Sequence, residues 1–127
     1  MTNFVWAEPV VVVNAASSTT QLSQTDVTNI FMGRYRKLPD GTSAVPIDQA
    51  DNSPIRIDFY RRLINKDLNE INAYWSRLVF SGRTTPPVPA SNATEVIYLL
   101  TTTAGGVAYL ERSMVDKRLR IVMEFPK

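Results

Sequence analysis

Apolar and polar positions along this chain switch between two periods, and each switch falls at residues that favour turns or helix ends. Residues 10–13 are four consecutive valines between Pro9 and Asn14, and an unbroken β-branched run reads as a strand buried on both faces. A small, polar stretch over 15–21 leads to a helix over 24–32, in which Val27, Ile30 and Phe31 share one face. Ser23 is placed to cap that helix, Asp26 to reach back to the cap, Leu22 to staple against Val27, and Gly33 to stop it.

Leu38-Pro39-Asp40-Gly41 is a turn signal, because proline fixes one backbone angle and glycine supplies a left-handed one. A short strand over 44–47 is expected after it. Ser53 as cap and Pro54 at the first helical position then open a second helix, continued by Ile55, Phe59 and Leu63 at a spacing of four. Asp67 and Glu70 make another capping pair for a helix over 68–80, with Leu68, Ile71, Trp75, Leu78 and Val79 as its apolar stripe and Gly82 as its end. Pro86-Pro87-Val88-Pro89 reads as a stiff connector inside one domain. Asn92 and Glu95 cap a last helix carrying Val96, Leu99 and Leu100, which ends by Gly105 and is followed by a strand over 106–110. In the final segment Leu119, Ile121, Met123 and Phe125 fall on one face and Arg118, Arg120 and Glu124 on the other, the pattern of a half-exposed edge strand. Strands separated by helices predict an α/β fold, a three-layer sandwich with a mixed sheet flanked by helices.

Composition narrows the function. The 127 residues, 44% hydrophobic and 20% charged, suffice for one core, so 8–127 is expected to be a single domain. Fourteen Lys and Arg against twelve Asp and Glu leave a net charge of +2, too small to draw a nucleic acid. The densest basic group, Arg34, Arg36 and Lys37, reads as a solvated turn. No apolar run approaches the roughly 20 residues that span a bilayer, so no membrane insertion is expected. Cys and His are absent, which removes thiol nucleophiles, Ser-His and Cys-His pairs and the usual zinc ligand sets. Asp48 and Asp51 are the remaining acid and base pair, without nucleophile or metal set. The expectation is a protein that is not an enzyme, with no metal and no cofactor. Val5-Trp6-Ala7 before Glu8-Pro9 is shaped like the junction left after a secretory signal peptide, so 1–7 reads as a signal remnant or a disordered end.

Several short motifs occur in one order. Val11-Val12-Val13-Asn14 precedes Ile30-Phe31-Met32-Gly33-Arg34; then come Asp40-Gly41, Asp51-Asn52-Ser53, Tyr74-Trp75, Ser81-Gly82 and Gly105-Gly106-Val107-Ala108-Tyr109-Leu110. This series resembles the second lobe of phosphate-type periplasmic solute-binding proteins. The resemblance implies a single lobe of a type 2 periplasmic-binding-protein-like fold, export to the periplasm, and a role beside phosphate ABC transporters. Asp51-Asn52-Ser53 falls where that family carries its phosphate-binding Asp-Gly-Ser-Gly-Thr turn. The ligand-binding residues it implies here are Gln49, Asp51, Asn52, Ser53, Arg56 and Tyr109, the last on a strand and open to a surface role.

The physics of that turn agrees with an anion site, because a helix N-terminus presents unsatisfied N–H groups and partial positive charge. The plainer alternative is that Ser53 only caps its own helix and Arg56 is solvated. Two departures weaken the site. Pro54 and Ile55 stand where the family has Gly and Thr, removing an N–H and a hydroxyl, and Gln49 stands where the family has the Arg that grips the anion. With one lobe only, a bound oxyanion such as phosphate stays half solvated and weakly held. The alternative is an envelope interaction or assembly protein that keeps the fold and has lost its ligand, with a protein partner or self-association through the edge strand over 118–125.

Overall fold

A computed structural model describes residues 8–50 and 53–126. The expectations for 1–7, Asp51 and Asn52 lie outside the described residues. In chain order the elements are β1 (Pro9–Asn14), α1 (Gln24–Phe31), β2 (Val45–Gln49), α2 (Pro54–Ile64), α3 (Leu68–Ser81), β3 (Val88–Ala90), α4 (Ala93–Thr102), β4 (Gly106–Glu111) and β5 (Leu119–Glu124). They form a five-stranded mixed sheet of order β3-β2-β4-β1-β5, with β2 parallel to both β3 and β4, and β1 antiparallel to β4 and β5.

The valine run of β1 is buried on both faces, as its unbroken apolar pattern predicts. Val11 and Val13 join α1, α2 and α3 in one core, while Val10 and Val12 join α4 in the other. β4 repeats the alternation, with Val107 and Tyr109 on the first side and Ala108 and Leu110 on the second. The result is the expected three-layer sandwich. Helix ends follow their caps: Ser23 with Asp26 and Asp67 with Glu70 form complete capping boxes, and Asn92 accepts the Glu95 N–H. Gly82 ends α3 in the left-handed conformation, φ 73°.

Three expectations are corrected. Residues 88–90, inside the expected connector, pair in parallel with β2 as the edge strand β3. An edge strand tolerates Pro89 because one side of it needs no N–H. Val79 is not part of the buried stripe of α3; it is 51% exposed, because it lies near the helix end, beyond Ile71 and Trp75, which join the core. The even alternation of β5 also fails. Its register against β1 shifts between Val11 and Val12, paired with Met123 and Ile121, so Val122 is an extra residue. Leu119 and Ile121 therefore pack with α4, whereas Val122, Met123 and Phe125 pack on the opposite side.

β5 does lie at the sheet edge, yet the chain over 15–22 partly covers it. The Leu22 N–H donates to the Val122 carbonyl at 2.9 Å, and the Arg120 guanidinium donates to the carbonyls of Ala15, Ser17 and Thr19.

Candidate functional site

β2 delivers Asp48 and Gln49 to the end of the sheet from which α2 departs. The Ser53 hydroxyl oxygen accepts the Arg56 N–H at 3.3 Å, and Pro54 occupies the first helical position. Ser53 thus performs the capping its sequence predicts. Among the first-turn donors Pro54 has no N–H and that of Arg56 is taken by the cap, so Ile55 is left to face a ligand.

Arg56 is 6% exposed. Its Nε donates to Asp48 Oδ1 at 3.3 Å and its Nη2 to Asn72 Oδ1 at 3.4 Å, while the guanidinium lies 5.5 Å from the centre of the Tyr60 ring. Burial, the largest single influence, lowers the Arg56 pKa, but the Asp48 charge together with Tyr60, Tyr109 and the hydrogen bond to Asp48 outweighs it and the net shift is upward. Solvation of Arg56, the plainer reading of this residue, is excluded by its burial.

Asp48 is the hub of a polar cluster under the helix. It accepts the Tyr60 hydroxyl at 2.7 Å, the Tyr109 hydroxyl, the Gln49 N–H at 2.8 Å and the Arg56 guanidinium. Burial, and then the Asp48 charge, push the hydroxyls of Tyr60 and Tyr109 well above the ordinary tyrosine value. Both therefore stay protonated and donate. Three of these four hydrogen bonds fall on Asp48 Oδ1 and one, from Tyr60, on Oδ2.

Tyr109 is fully buried, a correction to its expected surface role. β4 lies next to β2 inside the sheet, so the Tyr109 side chain meets the helices instead of solvent. Its ring stacks on Phe59 with centroids 3.9 Å apart and planes within 8°, and its hydroxyl also accepts the Gln49 N–H at 3.2 Å. The Gln49 side chain donates to the Tyr109 carbonyl at 2.8 Å, so its amide is bound across the sheet.

The structure thus brings Gln49, Ser53, Arg56 and Tyr109 to one end of the sheet and buries all of them but Ser53. Two central residues escape sequence reasoning: Tyr60 entirely, and Asp48 in its actual part. A signal was present, because a carboxylate inside an apolar strand must find partners, and Arg56 and Tyr60, four apart on one helix, are able to supply them together.

Beside this cluster opens a groove of about 730 Å³, with Asp48, Gln49 and Arg56 at its inner end, α3 along one wall and Pro86, Pro87 and Pro89 along the other. No group of three or more His, Cys, Asp or Glu side chains converges to hold a metal among the described residues, and none of their helices is long and apolar enough to cross a membrane.

No family model matches the sequence, and no curated protein does. Solved structures do. A protein of Clostridium perfringens, provisionally named a phosphate ABC transporter substrate-binding protein and solved with bound phosphate, superposes with TM-score 0.72 at 14% identity, over 91% of this chain and 44% of its own. An ABC-type phosphate transport receptor of Vibrio cholerae gives 0.71 at 14% identity, over 91% and 45%. PstS of Borrelia burgdorferi gives 0.67 at 13% identity, over 94% and 49%. The chain spans less than half the length of each of these structures. It therefore has the α/β fold of one part of the phosphate substrate-binding proteins, the fold that its ordered motifs resemble.

Proposed function

We propose that this chain is a small, non-enzymatic periplasmic binding module related to the phosphate substrate-binding proteins of ABC transporters, and that it holds a small oxyanion weakly at the N-terminus of α2. The observation that carries this reading is Arg56, a nearly buried guanidinium in the first turn of a Ser53-capped helix, in a fold shared with a structure that holds phosphate. Weakness follows from the same geometry. The Arg56 charge is already opposed by Asp48, Pro54 offers no N–H, and the Gln49 amide is bound to Tyr109. Thermal unfolding in rising phosphate, with chloride at matched ionic strength as control, tests the reading. A phosphate-specific rise in melting temperature that Ser53→Ala reduces supports it, and identical curves in both salts remove it.

A second reading is an envelope interaction or assembly protein that has kept the fold and lost the ligand. The neutralised Arg56 favours it, because an anion site without an uncompensated cation has little to offer. Cross-linking in periplasmic extract separates the two readings: a specific protein partner with no phosphate response favours the second.

A further inference from the structure

A second recess, of about 530 Å³, opens where the end of α1, the end of α2 and one face of α3 meet. Its floor is apolar. Met32 and Ile71, both buried, and the half-buried Ile64 line it and belong to the core beneath. A concave, largely apolar site of roughly 300–1,000 Å³ with a few polar groups at its rim is the size and character of a small-molecule site.

The rim is basic. Among the described residues that line the recess, Arg34, Lys66 and Arg77 stand against one carboxylate, Glu70. Glu70 is already engaged, with Oε2 at 3.7 Å from Lys66 Nζ and Oε1 accepting the Asp67 N–H at 3.1 Å. Arg34 and Arg77 have no ion-pair partner among the described residues. Cations also gather at helix C-termini, where the last carbonyls need donors, and α1 and α2 both end here. Those carbonyls have donors from elsewhere in the fold: the Tyr74 hydroxyl donates to the Met32 carbonyl at 2.7 Å, and the Gln24 side chain to the Leu63 carbonyl at 2.9 Å. Arg77 lies outside the last turn of α3 and has no helix end to serve.

Two guanidinium groups at the mouth of an apolar recess complement one kind of occupant. A carboxylate matches the planar fork of arginine, and an attached apolar chain covers the floor. An inorganic oxyanion leaves the floor bare, and a neutral apolar molecule leaves both cations without a partner. We infer that this recess binds a small amphipathic carboxylate, with its apolar chain on Met32, Ile64 and Ile71 and its carboxylate between Arg34 and Arg77. The inference does not depend on oxyanion binding at Ser53, which caps the opposite end of α2.

Titration of the isotope-labelled full chain with sodium octanoate, followed through backbone amide chemical shifts, tests it, with sodium acetate and octanol as controls. Octanoate is expected to give saturable shifts centred on the lining residues of 32–34, 64–66 and 70–77. Acetate, which lacks the apolar chain, should bind more than about tenfold more weakly, and octanol, which lacks the charge, about tenfold more weakly. Arg34→Gln combined with Arg77→Gln should weaken octanoate about tenfold. Both positions are exposed, so the amide spectrum of the unliganded variant should otherwise match wild type and serves as the check on folding. Shifts that fail to saturate, that gather at Ser53 and Arg56 instead, or that persist undiminished in the double variant overturn the inference, and so does acetate or octanol binding as tightly as octanoate. None of these outcomes bears on the phosphate response of Ser53, so the two proposals fail separately.

Discussion

Arg56 and Asp48 meet at 3.3 Å with their side chains only 7% and 10% exposed. Each neutralises the other inside the fold, so the pair that looks most like ligand machinery in the sequence is first of all a buried ion pair. Such a pair is sensitive to the loss of one member, because the survivor keeps its desolvation cost without its partner.

Asp48→Ala is accordingly expected to destabilise the fold by about 3–5 kcal/mol in urea unfolding. It takes the carboxylate away from Arg56 and from two tyrosine hydroxyls together. Arg56→Met should cost less, since both hydroxyls still satisfy the carboxylate. The double variant should lose less than the sum of the single ones. Strict additivity would mean that the two groups do not interact energetically.

Alkaline pH should weaken the fold through Tyr60 and Tyr109. Their folded pKa values are raised above the unfolded value of 10.0, first by burial and then by Asp48. Folded protein therefore binds more protons than unfolded protein above that pH. Their contribution is complete below about pH 10 and is lost as pH rises toward the folded values, with a slope of up to about 1.4 kcal/mol per pH unit for each tyrosine. Urea unfolding from pH 8 upward measures the slope, and Tyr60→Phe should reduce it. A stability that is flat through that range would contradict the buried, protonated hydroxyls.

What could be read from the sequence depended on the range of the interaction. Helix starts at Ser23, Ser53, Asp67 and Asn92 were legible because a cap and the backbone N–H that donates to it lie within three residues. β3 was not, because Pro89 argues against a strand unless the edge position is already known. The β5 bulge was equally hidden, since Val122 is extra only relative to the valines of β1. The cluster around Asp48 was the hardest to see: Tyr109 is 61 positions away and arrives only because β4 pairs with β2. Reading Tyr109 as a surface residue missed that neighbour.

Two glycines with left-handed backbone should respond differently to alanine. At Gly82, φ 73°, an added Cβ meets open space, whereas at Gly105, φ 79°, it would overlap the Ser43 carbonyl oxygen. Gly82→Ala should cost about 1–2 kcal/mol from conformation alone. Gly105→Ala should cost clearly more, because Gly105 also accepts the Val45 N–H at the start of β2 and is held against that segment. Equal losses in urea unfolding would contradict the tight approach.

Restoring a cation at position 49 should strengthen phosphate binding. Gln49 lines the groove beside Arg56, and with Asp48 already paired to Arg56 a second guanidinium would remain uncompensated. Gln49→Arg is expected to tighten phosphate binding by about tenfold, the scale of one added charge-assisted hydrogen bond, with the gain falling as salt rises. Loss of the amide contact to the Tyr109 carbonyl should cost about 1 kcal/mol of stability. Calorimetry of the variant beside wild type measures both, and unchanged affinity would mean that position 49 does not face the anion.

The most direct measurement is calorimetric titration of the wild-type chain with phosphate, repeated on Ser53→Ala. A neutralised Arg56 and a single free first-turn N–H predict a dissociation constant of about 1 mM, equivalent to roughly 4 kcal/mol of binding, further weakened in the variant. At about 10 mM phosphate the fold should then gain roughly 1.4 kcal/mol. Micromolar affinity would contradict the conclusion that Asp48 has taken up the charge of Arg56, and the absence of any heat or stabilisation at that concentration would contradict an oxyanion site at α2.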